Sequence, residues 1–198
     1  MRSHAGAWER KKTRLFMEIR TAIFEDSDSI AQLHADSWRV AYRGIFKDEF
    51  LDKQAFQNRK NIWRERFTMP KNNQHILVAV ENLELLGFVC AFGNEDTQWG
   101  TYIDNLHVTK VRTRQGIGRS LMIEIARWSN RHYPGAGLYL GVLEPNIAAR
   151  RFYESLGAIN QEARLWEPPG GGEVVDLLYV WSKASHLLNE DDDEPADT

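Results

Sequence analysis

Apolar residues recur along this chain with two periods, and the switches between them mark its elements. Glu18–Phe24 alternates polar and apolar positions, as a strand does. Glu25, Asp26, Ser27, Asp28 and Ser29 supply helix-capping side chains, after which Ile30, Leu33, His34, Ser37 and Trp38 fall at helical spacing until Gly44. A second helical region is predicted over Asp48–Phe67, with Phe50, Leu51, Phe56, Ile62 and Trp63 among its apolar positions. His75–Val80 and Leu85–Phe92 read as two strands of a hairpin turning at Glu81-Asn82-Leu83-Glu84. Thr101–Val108 is a strand. Ile117, Leu121, Ile125 and Trp128 then form the core stripe of a helix that ends near His132. Gly137–Val142 reads as a short buried strand, and Asn146–Leu156 as a helix with Gly157 at its C-terminal cap. Ala158–Trp166 and Val174–Trp181 close the chain as two strands around Pro168-Pro169-Gly170-Gly171-Gly172. The predicted order is βααβββαβαββ, an α/β chain of the mixed, α+β type.

The junction between strand Thr101–Val108 and the helix after it carries the first chemical signal. Arg114-Gln115-Gly116-Ile117-Gly118-Arg119-Ser120 places two glycines one residue apart, where a helix begins. Glycine lets the main chain turn sharply and approach a ligand closely. The first N–H groups of a helix lack intrahelical partners, and its dipole is positive there, so a phosphate group fits. The dinucleotide fingerprint Gly-x-Gly-x-x-Gly is excluded, because its third glycine would fall at Leu121. No Gly-Lys-Ser/Thr triplet follows, which excludes a nucleoside-triphosphate loop. Taken alone, a Gly-x-Gly pair is also compatible with an ordinary helix start.

A second signal lies downstream, in Asn146-Ile147-Ala148-Ala149 and Phe152-Tyr153-Glu154-Ser155-Leu156-Gly157-Ala158. With the glycine loop, these residues resemble the GCN5-related N-acetyltransferase (GNAT) family from about Glu18 to about Lys183. The resemblance implies the acyl-CoA N-acyltransferase fold: a central mixed, mostly antiparallel sheet of about seven strands with helices on both faces. It implies a cytoplasmic enzyme that transfers acetyl from acetyl-CoA to a primary amine of a small molecule, by direct attack of the amine on the thioester. A protein or peptide acceptor, or a non-catalytic acyl-CoA-binding regulatory module, are the alternatives. By the same resemblance, Arg114, Gln115, Gly116, Ile117, Gly118, Arg119 and Ser120 cradle the CoA pyrophosphate. Leu106, His107 and Val108 offer backbone groups to the pantetheine arm, and Asn146 and Ala149 cover the thiol end. Where the family usually has Arg or Gln three residues before the first loop glycine, this chain has Thr113, which leaves open whether Arg112, Arg114 or Arg119 faces the cofactor.

Acetyl transfer requires the amine to lose a proton, the carbonyl oxygen to be polarised, and the thiolate to gain a proton. A tyrosine hydroxyl suits the last step, because it is protonated at neutral pH. The resemblance gives that role to Tyr153, which shares a helix face with Asn146; a core aromatic beside Phe152 and a plain helix cap are their structural alternatives. Asp104 ranks first as the base, with Glu95, Asp96 and His107 nearby in sequence, and a structural carboxylate is the competing reading. The acceptor pocket is expected from Trp38, Tyr42, Phe46 and Trp63, with Trp166 and the glycine-rich loop opposite. Aromatic walls of this kind favour a positively charged acceptor through cation–π contact.

Composition narrows the setting. Cys90 is the single cysteine among 198 residues, so no internal disulfide is available, and its apolar surroundings read as a core thiol. No apolar run reaches the ~20 residues of a membrane span, and no apolar signal core opens the chain. His34, His75, His107 and His132 show no metal-ligand spacing, so no metal is expected. The net charge of −3 is unevenly spread. Residues 1–16 form a basic extension carrying Arg2, Arg10, Lys11, Lys12 and Arg14, and Met17-Glu18-Ile19-Arg20 reads like the natural start of the acetyltransferase domain at 17–188. Residues 189–198 form an acidic tail with Glu190, Asp191, Asp192, Asp193, Glu194 and Asp197, read as disordered. No nucleic-acid module accompanies the basic segment. The expected partner is the amine acceptor, with neither nucleic acid nor membrane, and a homodimer stays open.

Overall fold

The structure is a computed structural model that describes residues 17–168 and 171–188; the predicted basic extension and acidic tail lie outside the described residues. Seven strands form one sheet: β1 (Glu18–Thr21), β2 (Gln74–Glu81), β3 (Glu84–Asp96), β4 (Gly100–Val108), β5 (Leu138–Leu143), β6 (Ile159–Trp166) and β7 (Val174–Trp181). Their spatial order is β1-β2-β3-β4-β5-β7-β6, and every pairing is antiparallel except β4 with β5. Four α-helices flank the sheet: α1 (Ser27–Ala41), α2 (Ala55–Thr68), α3 (Ile117–His132) and α4 (Ile147–Ser155).

Strand alternation divides the core between the two faces. Ile76, Val78, Phe88, Cys90 and Phe92 point to one side and pack with Ile30 and Ala31 of α1 and Trp63 of α2. Leu77, Ala79, Val89, Ala91 and Ile103 point to the other and meet Leu121, Met122, Ile125 and Ala126 of α3, with Tyr153 and Leu156 at the end of α4. Cys90 is fully buried, and burial pushes its thiol up to about 12, so it is the core thiol expected from sequence.

Several predicted boundaries move: β3 runs on to Asp96, past the predicted Phe92, and two other shifts have a local cause. The first strand stops at Thr21 rather than Phe24, and Phe24–Asp26 turns into a short 3-10 helix. Asp26 causes this: its carboxylate accepts from the Ile23 N–H at 2.8 Å and from Arg20 at 2.7 and 2.9 Å, which folds the chain back on itself. The region predicted as one helix over Asp48–Phe67 begins as a π-turn, Phe50–Gln54, before α2. That wider turn lets Phe50 and Leu51, adjacent in sequence, both enter a small core with Trp38 and Phe46.

The break in the sheet positions the site. β4 and β5 pair only through Thr101↔Leu138 and Tyr102↔Tyr139. At that end the backbones come very close: the Thr101 N–H donates to the Gly137 carbonyl at 3.0 Å, and a Cβ on Gly100 would sit 2.4 Å from that oxygen. Glycine is therefore needed at residue 100, where φ is +87°. From Ile103 and Leu140 onward the two strands diverge, and a wedge opens in the middle of the sheet.

Candidate active site

A cavity of about 430 Å³ fills the wedge. One wall is β4 from Ile103 to His107; the opposite wall is β5 from Leu140 to Leu143, continued by Asn146, Ala149 and Tyr153 of the α4 region. His34, Trp38 and Tyr42 from α1 and Arg59 from α2 close one end, with Arg164, Trp166 and Asp176 beside them. The pairing of β3 with β4 steps from Cys90↔Asn105 to Ala91↔Ile103, so Asp104 is the extra residue of a β-bulge on the cavity wall.

The glycine loop follows β4 directly. Lys110–Arg112 make a 3-10 turn, and Arg114 and Gly116 take left-handed backbone at φ +63° and +84°. Gly116 is the N-cap of α3, which has no side-chain cap, so the N–H groups of its first turn are left for a ligand. A Cβ on Gly116 would meet nothing within 4 Å, whereas one on Gly118 would lie 3.3 Å from the Phe152 ring and 3.7 Å from Val108. Gly118 therefore lets the start of α3 approach α4. Arg112 is committed to Glu81 through a close ion pair, while Arg114, Gln115 and Arg119 are exposed on the loop. Ile117 is buried and anchors the turn, and Ser120 is half-buried, its N–H donating to the Gly116 carbonyl at 2.9 Å.

Leu106 and Val108 turn their side chains toward the α3 core. His107 faces the other way, 4.5 Å from the His34 ring and 5.3 Å from Phe88, and desolvation pushes it down to about 3. Both rings are neutral, because desolvation lowers His34 as well. Asn146 caps α4, its side-chain oxygen accepting from the Ala149 N–H at 3.2 Å. Tyr153 is buried against Phe152 and Trp181, lines the cavity, and is held protonated by desolvation, with Tyr42 adding to the shift.

Of the acidic residues singled out from sequence, Asp104 alone reaches the cavity, where Arg66 pairs with it at 2.6 Å. Glu95 is bonded to Lys71 and Asn73, and Asp96 accepts from the backbone of Gln98 and Trp99 in a turn. Sequence reasoning missed Asp176. Its carboxylate is buried in the cavity wall beside Arg164, with two contacts of 3.1 Å, and desolvation raises its pKa. The room it occupies exists because residue 141 is glycine: a Cβ there would lie 2.5 Å from Asp176 Oδ2. A lone acid in the apolar run Val174–Trp181 was the available signal.

The aromatic wall is partly as expected. Trp38, Tyr42 and Trp166 line the cavity, and Phe46 supports them at 5.3 Å from Trp38 and 5.9 Å from Trp166. Trp63 does not: it is wholly buried, and its indole N–H donates to His34 Nδ1 at 3.1 Å. The cation–π expectation changes too, because the protein's own cations take these rings. The Arg59 guanidinium lies 4.1 Å over Trp38, and that of Arg66 lies 4.9 Å over Trp63. Arg59 was also missed, although it occupies a core-facing position between Ala55 and Trp63 at spacings of four. Among the described residues no group of three His, Cys, Asp or Glu side chains is arranged to hold a metal ion, and no helix is long and apolar enough to cross a membrane.

Comparison with known proteins gives a consistent result. A family model described as "Acetyltransferase (GNAT) family" matches residues 28–158. An uncharacterised N-acetyltransferase of Bacillus subtilis, YuaI, is 27% identical over 132 residues, covering 65% of this chain and 72% of YuaI. Among solved structures, the PaiA N-acetyltransferase of Thermoplasma acidophilum in complex with coenzyme A superposes with a TM-score of 0.64 at 19% identity, over 83% of this chain and 98% of that one. YncA of Salmonella typhimurium, a putative acetyltransferase with its cofactor acetyl-CoA, superposes with a TM-score of 0.60 at 20% identity, over 84% and 93%.

Proposed function

The chain belongs to the GNAT acetyltransferase family, and from that membership we propose that it transfers acetyl from acetyl-CoA to a primary amine of a small molecule. One observation carries the proposal: β4 runs on into the uncapped start of α3, and the wedge between β4 and β5 holds a cavity with an aromatic wall. The first favours a phosphate and the second an acceptor. Beyond Tyr102 the strands diverge, so those alternate backbone groups of residues 106–108 that face away from β3 have no β5 partner, and an amide-bearing arm can bond to them. A concave cavity of about 430 Å³ walled by Trp38, Tyr42 and Trp166 is of a size to take a small acceptor.

In this reading, the loop N–H groups of Gly116, Ile117, Gly118 and Arg119 hold the pyrophosphate, with Arg114, Gln115, Arg119 and Ser120 around it. Asn146 and Ala149 bound the thiol end. The thioester supplies the activated acetyl group, and the residues do the rest. An N–H of the β4 edge near His107 or Val108 polarises the carbonyl oxygen. Tyr153, kept protonated by its burial, donates its hydroxyl proton to the departing sulfur. The amine must attack unprotonated, and two carboxylates stand in the cavity to take its proton. Asp104, on the bulge, is the first candidate; Asp176, whose carboxylate pKa is raised by burial, is the second.

The test is acceptor-dependent release of CoA across a panel of small amines, with the product identified by mass spectrometry. The proposal expects one CoA per N-acetylated amine. Acetylation confined to protein or peptide acceptors would favour the macromolecular alternative. Tight acetyl-CoA binding without acetylation of any acceptor would favour a regulatory module.

A further inference from the structure

One charged group in the cavity has no counterion of its own. Arg59 is 8% exposed, and its guanidinium donates to the neutral Asn58 side-chain oxygen alone among the described residues. The other arginines at this end are matched: Arg66 with Asp104 at 2.6 Å, and Arg164 with Asp176 at 3.1 Å. Asp104 attracts Arg59 from beyond ion-pair distance, but Arg66 already holds it. Three guanidinium groups therefore face two carboxylates, and the excess positive charge resides on Arg59. A buried charge without a partner is costly, and desolvation drags Arg59 down to about 10, which still leaves it charged at neutral pH.

A second, independent group points the same way. The Trp63 indole can only donate, so His34 Nδ1 must accept, and the ring proton sits on Nε2. That Nε2–H is buried and has no partner among the described residues, in a ring that is 1% exposed and lines the cavity. A buried donor left without an acceptor carries a desolvation penalty, as an unpaired charge does. The other buried side-chain atom without a hydrogen-bond partner among the described residues, Asp104 Oδ2, lies 2.6 Å from the Arg66 guanidinium, so the two groups left over, the His34 Nε2–H and Arg59, are donors, and both residues line the proposed acceptor chamber. The oxygens of a monoanion are the acceptors that both lack, and a planar carboxylate matches the guanidinium fork. A dianion would exceed the single unmatched charge.

We propose that the acceptor is an amino acid or a close relative, carrying a carboxylate beside its amine, and that Arg59 and the His34 Nε2–H bind that carboxylate. This rests on the acetyl-transfer reading and narrows its substrate class. It also reverses the expectation of a net cationic acceptor, since Arg59 now covers the Trp38 face that would have received one.

The experiment compares matched acceptors on the full chain with acetyl-CoA: amino acids, their primary amides, and the corresponding decarboxylated amines. The acids should be preferred in kcat/KM by roughly 10- to 100-fold, the scale of hydrogen bonds to a charged group. In Arg59→Gln that preference should collapse, chiefly through a higher KM for the acids. Arg59→Lys keeps the charge and loses the two-pronged fork, so it should retain part of the preference and serves if the Gln variant does not fold. Amides or decarboxylated amines used as well as the acids by the wild-type chain would overturn the proposal, as would an unchanged preference in both variants. If no amine turns over, the acetyl-transfer reading fails separately. Calorimetry of the same acids and amides with the wild-type chain then decides the carboxylate site: binding of acids over amides sustains it, and equal or absent binding of the acids overturns it.

Discussion

Removing one oxygen atom at residue 153 separates ring packing from proton donation. Tyr153→Phe keeps the contacts with Phe152 and Trp181 and deletes the hydroxyl. If that hydroxyl protonates the departing thiolate, kcat should fall by roughly 10²–10⁴ while acetyl-CoA affinity stays close to wild type. Because desolvation raises the hydroxyl pKa above its ordinary value of 10.0, the loss should be nearly constant across neutral pH; a near-normal kcat would remove Tyr153 from the mechanism. The base is resolved by Asp104→Asn and Asp176→Asn. The account expects the Asp104 variant to lose roughly 10²-fold or more in kcat/KM. A near-normal kcat/KM there, together with a loss in the Asp176 variant, would transfer the role to Asp176, whose raised pKa places the acid limb at higher pH than an ordinary carboxylate does.

At the level of elements, the start of α3 and the seam between α1 and β4 make separate demands. At Gly118 a larger side chain must push Phe152 aside and crowd the loop face. Gly118→Val should therefore melt cooperatively yet bind acetyl-CoA roughly 10- to 100-fold more weakly, as expected for losing one charge-assisted hydrogen bond. Wild-type affinity by calorimetry would take the pyrophosphate away from this loop. The seam is read by pH. The His34 and His107 rings pack at 4.5 Å, tilted by 34°, both neutral and with pKa values depressed below the ordinary 6.5. The unfolded chain then binds more protons than the folded one below about pH 6.5, so their contribution is full above that value and is lost as pH falls toward about 3. The melting temperature should drop between pH 6.5 and 5, before ordinary carboxylates titrate, and His107→Asn should shallow that drop. Asp176 contributes with the opposite sign, its raised pKa costing stability as pH rises, so the comparison of variant with wild type carries the test. An identical slope in both would contradict the role given to this buried pair of neutral rings.

At the scale of the fold, all seven strands found among the described residues lie between Glu18 and Trp181, and the sheet draws its core from both faces within those bounds. A chain cut to residues 17–188 should accordingly keep its melting temperature and its turnover of a small amine; loss of folding would show that a removed end packs on the domain. The element order was legible because period-2 and helical stripes were long and separated by glycine, proline or capping residues, as in the run from Ile117 to Trp128. What stayed illegible was set by tertiary contact. The Asp26–Arg20 bond that cut the first strand short, the π-turn before α2, and the partnering of Trp63 with His34 all join residues that no local pattern links. Arg59 and Asp176 escaped for a related reason: each is one charge in an apolar stripe, and its meaning depends on whether a counterion waits across the cavity. A crystal structure of the chain with CoA tests the central claim most directly. The account expects the pantetheine arm between β4 and β5, the pyrophosphate on the N–H groups of Gly116, Ile117, Gly118 and Arg119, and the sulfur within hydrogen-bond reach of the Tyr153 hydroxyl. CoA bound outside the wedge, or a sulfur turned away from Tyr153, would contradict it.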